Sequence, residues 1–228
     1  MPMLLYSNGC SFTASLEVDR CMRYPALIGK HFDWEVIDHA IPQSCNTKII
    51  RCTMRDCLQL LERNEKITAL VQLTFLERFE YAGDPEGANK WQYNFGTSKD
   101  EFEVIKLNDD KNWPKEIKDY ANSIFFHQRD NALCAQLFSN LVGLLSFFKT
   151  NDIEYRIFLG PDLLNNPSVN NHIILQDSFY QRCISMDPKV LSLIDFNILR
   201  VANTTVHPDA DGMQKIADYF INLLCEQE

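Results

Sequence analysis

Three short polar segments of this 228-residue chain carry side chains that could do chemistry. Residues 8–13 present the Ser11 hydroxyl, residues 40–46 present amides and a hydroxyl, and His207 opens the segment 207–212. A serine hydroxyl is a weak nucleophile that needs an adjacent base such as imidazole, and the oxyanion that forms needs hydrogen-bond donors. A hydroxyl, an amide and an imidazole that meet at one place would therefore suit acyl transfer.

The elements that must position these segments alternate between strand and helix. Apolar runs predict strands at 3–7, 34–37, 69–73 and 155–159. Helical periodicity predicts helices at about 15–31, 46–63, 128–149 and 209–225, and residues 190–194 fit either a helix or a strand. This alternation predicts a parallel, flavodoxin-like sheet with helices on both faces, a three-layer α/β/α sandwich. The loops at the carboxyl ends of such strands converge, so the polar segments should meet there.

Residues 82–125 interrupt the alternation. They combine glycine and proline with aromatic residues that include Trp91 and Tyr93. One interpretation is a lid-like excursion that faces the substrate, with Trp91 and Tyr93 as binding residues. The other is a surface subdomain whose aromatic residues form a small core of their own. Either way, the sequence predicts one α/β domain over residues 1–228 with an insertion at about 82–125.

Four segments resemble, in the correct order, the sequence blocks of the SGNH (GDSL-like) hydrolase superfamily. Residues 9–13 (Gly-Cys-Ser-Phe-Thr) resemble the Gly-Asp-Ser block, in a Gly-Cys-Ser form associated with small, often phage-encoded members. Residues 40–46 resemble the second block, Ala-x-Pro-Gly-x-Ser-Asn, and residues 71–80 stand where the third belongs. Residues 207–212 match the His-Pro-x-x-x-Gly part of the last block. The resemblance spans most of the chain and implies the SGNH type of sheet.

This resemblance also implies a role for each matched residue. Ser11 would be the nucleophile, and His207 would accept its proton and return it to the leaving group. The backbone N–H groups of Ser11 and Gln43 would bind the oxyanion. Asn46 or Thr74 would add a side-chain donor.

Three positions depart from the family pattern. Gln43 stands where the second block has glycine, and Thr74 stands where the third block has asparagine. Thr204 replaces the aspartate three residues before the histidine, and a neutral hydroxyl cannot stabilise an imidazolium as a carboxylate does. The protein would then use a Ser–His dyad or another carboxylate that orients His207. The candidates for that carboxylate are Asp195, Asp209 and Asp211.

Several of these residues also admit other roles. Ser11 and Asn46 could each cap a helix, a common role for both residue types. Cys10 could be a reactive thiol at a helix N-terminus, although a small buried cysteine is more usual. Arg78 and Glu80 could form a structural ion pair, which we favour, or bind substrate.

Composition excludes several classes of function. The net charge of −9 and the absence of a basic cluster disfavour nucleic acid and anionic membranes as partners. The N-terminus resembles no signal peptide and no apolar run could span a membrane, so a cytoplasmic setting is expected. The eight cysteines include no Cys-x-x-Cys and the histidines fit no metal spacing. We therefore expect reduced thiols, no metal and no cofactor.

These observations favour a metal-independent serine hydrolase that acts on an ester, with an O-acyl carbohydrate or a small metabolite as substrate. The alternative is an SGNH-like binding module that holds a saccharide or small ligand without turnover. A third interpretation, a phosphate or nucleotide site at the helix after residues 8–11, is weak because that loop has only one glycine. The sequence makes no prediction about the oligomeric state.

Overall fold

The computed structural model describes residues 3–15, 17–74, 78–82, 102–106, 115, 119, 130–158, 190–191 and 207–226. Its strands are β1 (Met3–Asn8), β2 (Glu35–Asp38), β3 (Lys66–Gln72), β4 (Arg78–Ala82), β5 (Phe102–Lys106), β6 (Glu154–Phe158) and β7 (Val190–Leu191). Its α-helices are α1 (Tyr24–Phe32), α2 (Asn46–Leu61), α3 (Asp130–Thr150) and α4 (Ala210–Cys225). Within this part of the chain, no helix is long and apolar enough to cross a membrane.

Five of the strands form one parallel sheet in the order β2-β1-β3-β6-β7. Strand β1 lies between β2 and β3, and its last residues pair with the ends of both: Ser7 lies opposite Asp38, and Asn8 lies opposite Val71. The carboxyl ends of these three strands therefore share one edge, as the alternating pattern predicted. Residues 190–191 take the strand alternative, paired with β6.

Side chains that alternate along each strand fill two separate cores. Leu4 and Tyr6 of β1 pack with α2 and α3, whereas Leu5 packs with α1 and α4 on the opposite face. Strand β3 divides in the same way, with Val71 on the first face and Leu70 on the second. This period of two places apolar layers on both faces of the sheet, which confirms the predicted α/β/α sandwich.

The first helix was predicted wrongly at its N-terminal end. The prediction ran from about residue 15 to 31, but α1 begins at Tyr24, after a turn over residues 10–14 and a 3₁₀ turn at Arg20–Met22. Pro25 explains the late start, because proline lacks a backbone N–H and its ring clashes with the carbonyl four residues earlier. In the first turn of a helix neither problem arises, and that is where Pro25 lies.

The segment that interrupts the alternation contributes β5 to an antiparallel pair whose other strand, β4, ends where the segment begins. Strand β4 pairs with β5 and is separate from the main sheet. Trp91 and Tyr93 lie outside the described residues, so their role as binding residues stays a prediction. The single-domain organisation and the lid-like nature of residues 82–125 also stay predictions.

Candidate active site

The Ser11 loop, residues 9–19 between β1 and the 3₁₀ turn, begins at a position where any side chain would clash with its neighbours. A Cβ atom on Gly9 would lie 2.3 Å from the Thr13 Oγ1 and 2.9 Å from the Gln72 Cβ. The chain then turns tightly, since the N–H groups of Thr13 and Ala14 both donate to the Cys10 carbonyl, at 3.0 and 2.9 Å. Ser11 lies in this turn with 8% of its surface exposed, at the carboxyl edge of the sheet.

Gln72, at the end of β3, makes three hydrogen bonds to the Ser11 loop. Its Oε1 accepts hydrogen bonds from the Cys10 N–H, the Cys10 thiol and the Thr13 hydroxyl, at 3.1, 3.2 and 3.1 Å. Its amide group donates to the Leu73 carbonyl. Cys10 is fully buried, and its thiol points at this amide oxygen, an arrangement that fits a structural cysteine better than a nucleophile.

A buried polar network lies beneath the same loop. The Asn8 Oδ1 accepts the Gly9 N–H at 2.8 Å, and the Asn8 amide donates to the Tyr6 hydroxyl and to the Thr53 hydroxyl. The Tyr6 hydroxyl in turn donates to the Asp56 carboxylate at 2.9 Å. Burial and then the nearby Asp56 charge raise the pKa of Tyr6 well above its usual value, so this phenol stays protonated as a donor.

Asp56 anchors that network on α2. The His39 Nδ1 lies 2.7 Å from its Oδ2, and the Arg55 Nε donates to its Oδ1 at 2.8 Å. Burial pulls the pKa of Asp56 upward, but the hydrogen bonds from His39, Arg55 and Tyr6 outweigh it and hold this pKa below its usual value. The carboxylate is therefore charged at neutral pH and fixes the underside of the Ser11 loop through Tyr6 and Asn8.

The second loop, residues 39–45 between β2 and α2, runs beside the Ser11 loop and contains a strained residue. The Ile41 N–H donates to the Gly9 carbonyl at 3.1 Å, which ties the two loops together. Gln43 has a φ of 68°, in the left-handed region that favours glycine. Glycine, the residue that the resemblance expects at this position, would adopt this conformation without strain, whereas the Cβ of Gln43 disfavours it.

Asn46 and Thr74 hold each other through their polar groups. The Asn46 amide donates to the Thr74 carbonyl at 2.9 Å, and the Thr74 N–H donates to the Asn46 Oδ1 at 2.6 Å. The Arg78 Nη1 donates to the Ser44 carbonyl and to the Thr74 Oγ1, both at 3.1 Å. Arg78 thus ties the second loop to the end of β3. Glu80 lies on β4, and the predicted ion pair between Arg78 and Glu80 stays a prediction.

His207 lies against the Ser11 loop at the start of α4. Its imidazole meets the Phe12 ring edge to face, with 5.5 Å between ring centroids. The Ser15 hydroxyl lies 3.5 Å from the Pro208 carbonyl, and the His207 Nδ1 lies 3.4 Å from the Glu17 Oε1. The hydrogen bonds among the described residues include none between the Ser11 hydroxyl and His207.

Two of the candidate carboxylates for His207 lie on the first turn of α4. The Asp209 Oδ1 accepts the Gly212 N–H at 2.9 Å, so this carboxylate caps the helix. Asp211 is exposed. Asp195 and Thr204 lie outside the described residues. The described residues contain no group of three or more histidine, cysteine or acidic side chains that could hold a metal.

Sequence reasoning missed three residues that organise this site: Gln72, Asp56 and Glu17. A polar residue inside the apolar run of β3 marks Gln72, and the pattern could have shown it. Asp56 and Glu17 carry no such signal, because the partners through which they act on the site, Tyr6 and His207, lie far away from them in the chain.

Two solved esterases are similar to this chain over nearly its whole length. The psychrotrophic esterase EstA from a Pseudoalteromonas species matches with a TM-score of 0.54 at 10% identity, covering 98% of this chain and 97% of that one. The acetyl xylan esterase AlAXEase matches with a TM-score of 0.51 at 13% identity, covering 96% of this chain and 98% of that one. No protein-family model and no curated protein matches the sequence. At these identities the likeness is one of fold.

Proposed function

We propose that this chain, which has the SGNH hydrolase fold, hydrolyses an ester with Ser11 as nucleophile and His207 as base. The observation that carries the proposal is the contact between the two ends of the chain. Phe12, next to Ser11, touches the His207 ring, and Ser15 touches Pro208. The nucleophile loop and the imidazole thus lie at the same edge of the sheet, although they are almost two hundred residues apart in sequence.

The reaction would follow the usual course of serine hydrolases. The Ser11 oxygen attacks the acyl carbonyl while His207 takes the hydroxyl proton, and His207 then gives that proton to the departing alcohol. Water enters next, gives a proton to His207 and attacks the acyl-serine. As the acid leaves, His207 returns that proton to the Ser11 oxygen and the free hydroxyl is restored. The hydrogen bonds among the described residues include none between the Ser11 hydroxyl and His207. In serine hydrolases such a bond can form or tighten only when substrate is bound.

The oxyanion would be bound by the Ser11 and Gln43 N–H groups and by the Thr74 hydroxyl. Thr74 suits this role because its Oγ1 accepts from Arg78, which turns the hydroxyl proton away from the guanidinium. Asn46 suits this role less, since its side-chain nitrogen donates to the Thr74 carbonyl and its side-chain oxygen accepts from the Thr74 N–H. Asn46 and Arg78 would then position the donor, and removal of one such donor typically lowers the rate by about 10²–10³-fold.

The substrate class that we propose is an O-acyl group on a carbohydrate or a small metabolite. The acetyl xylan esterase among the similar structures supports the carbohydrate form, because its name describes that class of substrate. Trp91 and Tyr93 would supply aromatic surfaces against the sugar.

Covalent labelling tests the proposal directly. A fluorophosphonate probe should label the wild-type protein at Ser11, and Ser11→Ala should lose the label. Ser7→Ala is the matched control, because Ser7 is a buried serine of β1 only four residues away, and that variant should keep the label. Labelling that persists in Ser11→Ala would refute the assignment.

The second candidate is a binding module that holds a saccharide without turnover. It is favoured by the missing hydrogen bond between Ser11 and His207 among the described residues, together with Thr204 in place of the family's aspartate. Hydrolysis of short-chain acyl esters that depends on both Ser11 and His207 would exclude it. Tight saccharide binding without hydrolysis would establish it instead.

A further inference from the structure

A hydrogen-bond acceptor at the His207 Nδ1 would prepare the Nε2 of the same imidazole to act as a base. An acceptor at Nδ1 selects the tautomer that carries its proton there, which leaves a lone pair at Nε2, and a carboxylate also stabilises the imidazolium that forms. The sequence has Thr204 where the family has the aspartate that does this. The structure offers a carboxylate from another part of the chain, because the Glu17 Oε1 lies 3.4 Å from the His207 Nδ1.

Glu17 is held near His207 by the same loop that carries Ser11. The buried Ser15 hydroxyl accepts the Glu17 N–H at 3.2 Å and also approaches the Pro208 carbonyl, so it bridges the backbone beside Glu17 and the backbone beside His207. Phe12 packs on the imidazole from the same loop. One loop therefore carries the nucleophile, an aromatic contact to the base and a carboxylate for that base.

We propose that Glu17 is the positioning residue that orients His207, in place of the aspartate that this chain lacks; the inference rests on the proposed function. The other carboxylates of the described residues near His207 suit the role less well. Asp209 is engaged as the cap of α4, and among the described residues the carboxylate that reaches the His207 imidazole is that of Glu17, not that of Asp211. With 36% of its side chain exposed, Glu17 acts as a weaker orienting group than the buried aspartate of serine proteases.

The test compares Glu17→Gln with Asp19→Asn. Asp19 lies in the same loop, is exposed, and accepts the Met22 N–H only through its main-chain carbonyl, so Asp19→Asn removes an equal charge without touching the imidazole. Hydrolysis of p-nitrophenyl acetate gives kcat and KM, and ¹⁵N NMR of the imidazole reports the tautomer of His207. Glu17→Gln should lower kcat about tenfold or more with little change in KM, short of the roughly 10⁴-fold loss seen for a buried aspartate.

The NMR readout separates orientation from a merely structural role. Glu17→Gln should shift the His207 ring nitrogens away from the Nδ1-protonated tautomer, whereas Asp19→Asn should leave both the spectrum and kcat at wild-type values. An unchanged His207 spectrum and an unchanged kcat in Glu17→Gln would overturn the inference, as would an equal effect in Asp19→Asn.

Ser11→Ala, measured in parallel, separates failure of this inference from failure of the proposed function. If Ser11→Ala abolishes hydrolysis while Glu17→Gln matches the wild type, only the role of Glu17 is wrong. If Ser11→Ala hydrolyses the ester at the wild-type rate, the proposed function is wrong. If the wild-type protein does not hydrolyse the ester at all, that probe contradicts the proposed function, and the tautomer measurement alone decides whether Glu17 orients His207.

Discussion

The two halves of the candidate site are held in opposite ways. The Ser11 loop is buried, fixed by Gln72 from β3 and supported from below by the Asn8, Tyr6 and Asp56 network. His207 is 31% exposed, and its contacts include the edge of the Phe12 ring and the Glu17 carboxylate at 3.4 Å. The sheet therefore fixes the position of the Ser11 nucleophile, whereas the position of the His207 base depends on the contact between α4 and the Ser11 loop. Substitutions under Ser11 should affect folding, and substitutions around His207 should affect the rate.

The largest effect on folding is expected for Gly9→Ala. Its methyl group would overlap the Thr13 hydroxyl and Gln72, and the Ser11 loop would have to move. Because overpacking of a rigid site is destabilising, we expect the free energy of unfolding to fall by about 1–3 kcal/mol. Urea denaturation measures the loss.

Gly143→Ala is the matched control for that substitution. Gly143 lies on an exposed position of α3, and a Cβ there would meet no atom within 4 Å. The added methyl group should raise stability by about 0.5–1 kcal/mol, because glycine is disfavoured inside a helix. If Gly9→Ala were tolerated as well as Gly143→Ala, the Ser11 loop would not be rigidly held.

An effect of similar size is expected for Asp56→Asn. The substitution removes a charged acceptor from Tyr6, His39 and Arg55, and loss of buried partners of this kind reduces stability by about 1–3 kcal/mol. The effect should depend on pH. A carboxylate whose pKa is lowered by folding stabilises the folded state above its unfolded pKa of about 4, and this contribution disappears as the pH falls through the folded pKa.

Urea denaturation between about pH 7 and pH 2 checks that dependence on Asp56. The difference in unfolding free energy between wild type and Asp56→Asn should be constant near neutrality and should shrink as the pH falls below about 4. A difference that stayed constant over the whole range would mean that the Asp56 charge does not support the Ser11 loop.

The smallest effect on folding is expected for Gln43→Gly. Because Gln43 has a positive φ, glycine should relieve strain, and we expect stability to rise by up to about 1 kcal/mol after the greater flexibility of the unfolded chain is subtracted. Thermal denaturation measures the change. A clear fall in melting temperature would show that the Gln43 side chain makes a contact that outweighs the strain.

The sequence predicted the layered fold well because the fold depends on simple periodicities. Strand β3 reads as an apolar run and α2 as a 3.6-residue stripe, and both lie within a few residues of their predicted bounds. The N-terminal end of α1 was mispredicted because the pattern of apolar residues was followed across Pro25. A proline at the second position of a helix marks a start that periodicity alone does not locate.

The site was harder to predict because the side chains that hold its residues in place lie far from those residues in the sequence. Sequence blocks indicated Ser11 and His207, which match a motif, and Gln43 and Thr74, which stand at motif positions with a different residue type. The groups that hold them are single side chains with distant partners, such as Gln72 under Cys10 and Glu17 beside His207. No spacing rule connects residue 17 to residue 207, so only the three-dimensional structure shows that they lie close together.

The rate of fluorophosphonate labelling at Ser11 in His207→Ala, relative to wild type, tests the central claim most directly. If His207 accepts the Ser11 proton, the variant should label at least about 10²-fold more slowly, because general-base catalysis typically contributes 10²–10⁴-fold. Circular dichroism should show that the variant keeps its folded structure. A folded His207→Ala protein that labels Ser11 at the wild-type rate would contradict the claim that these two residues share a proton.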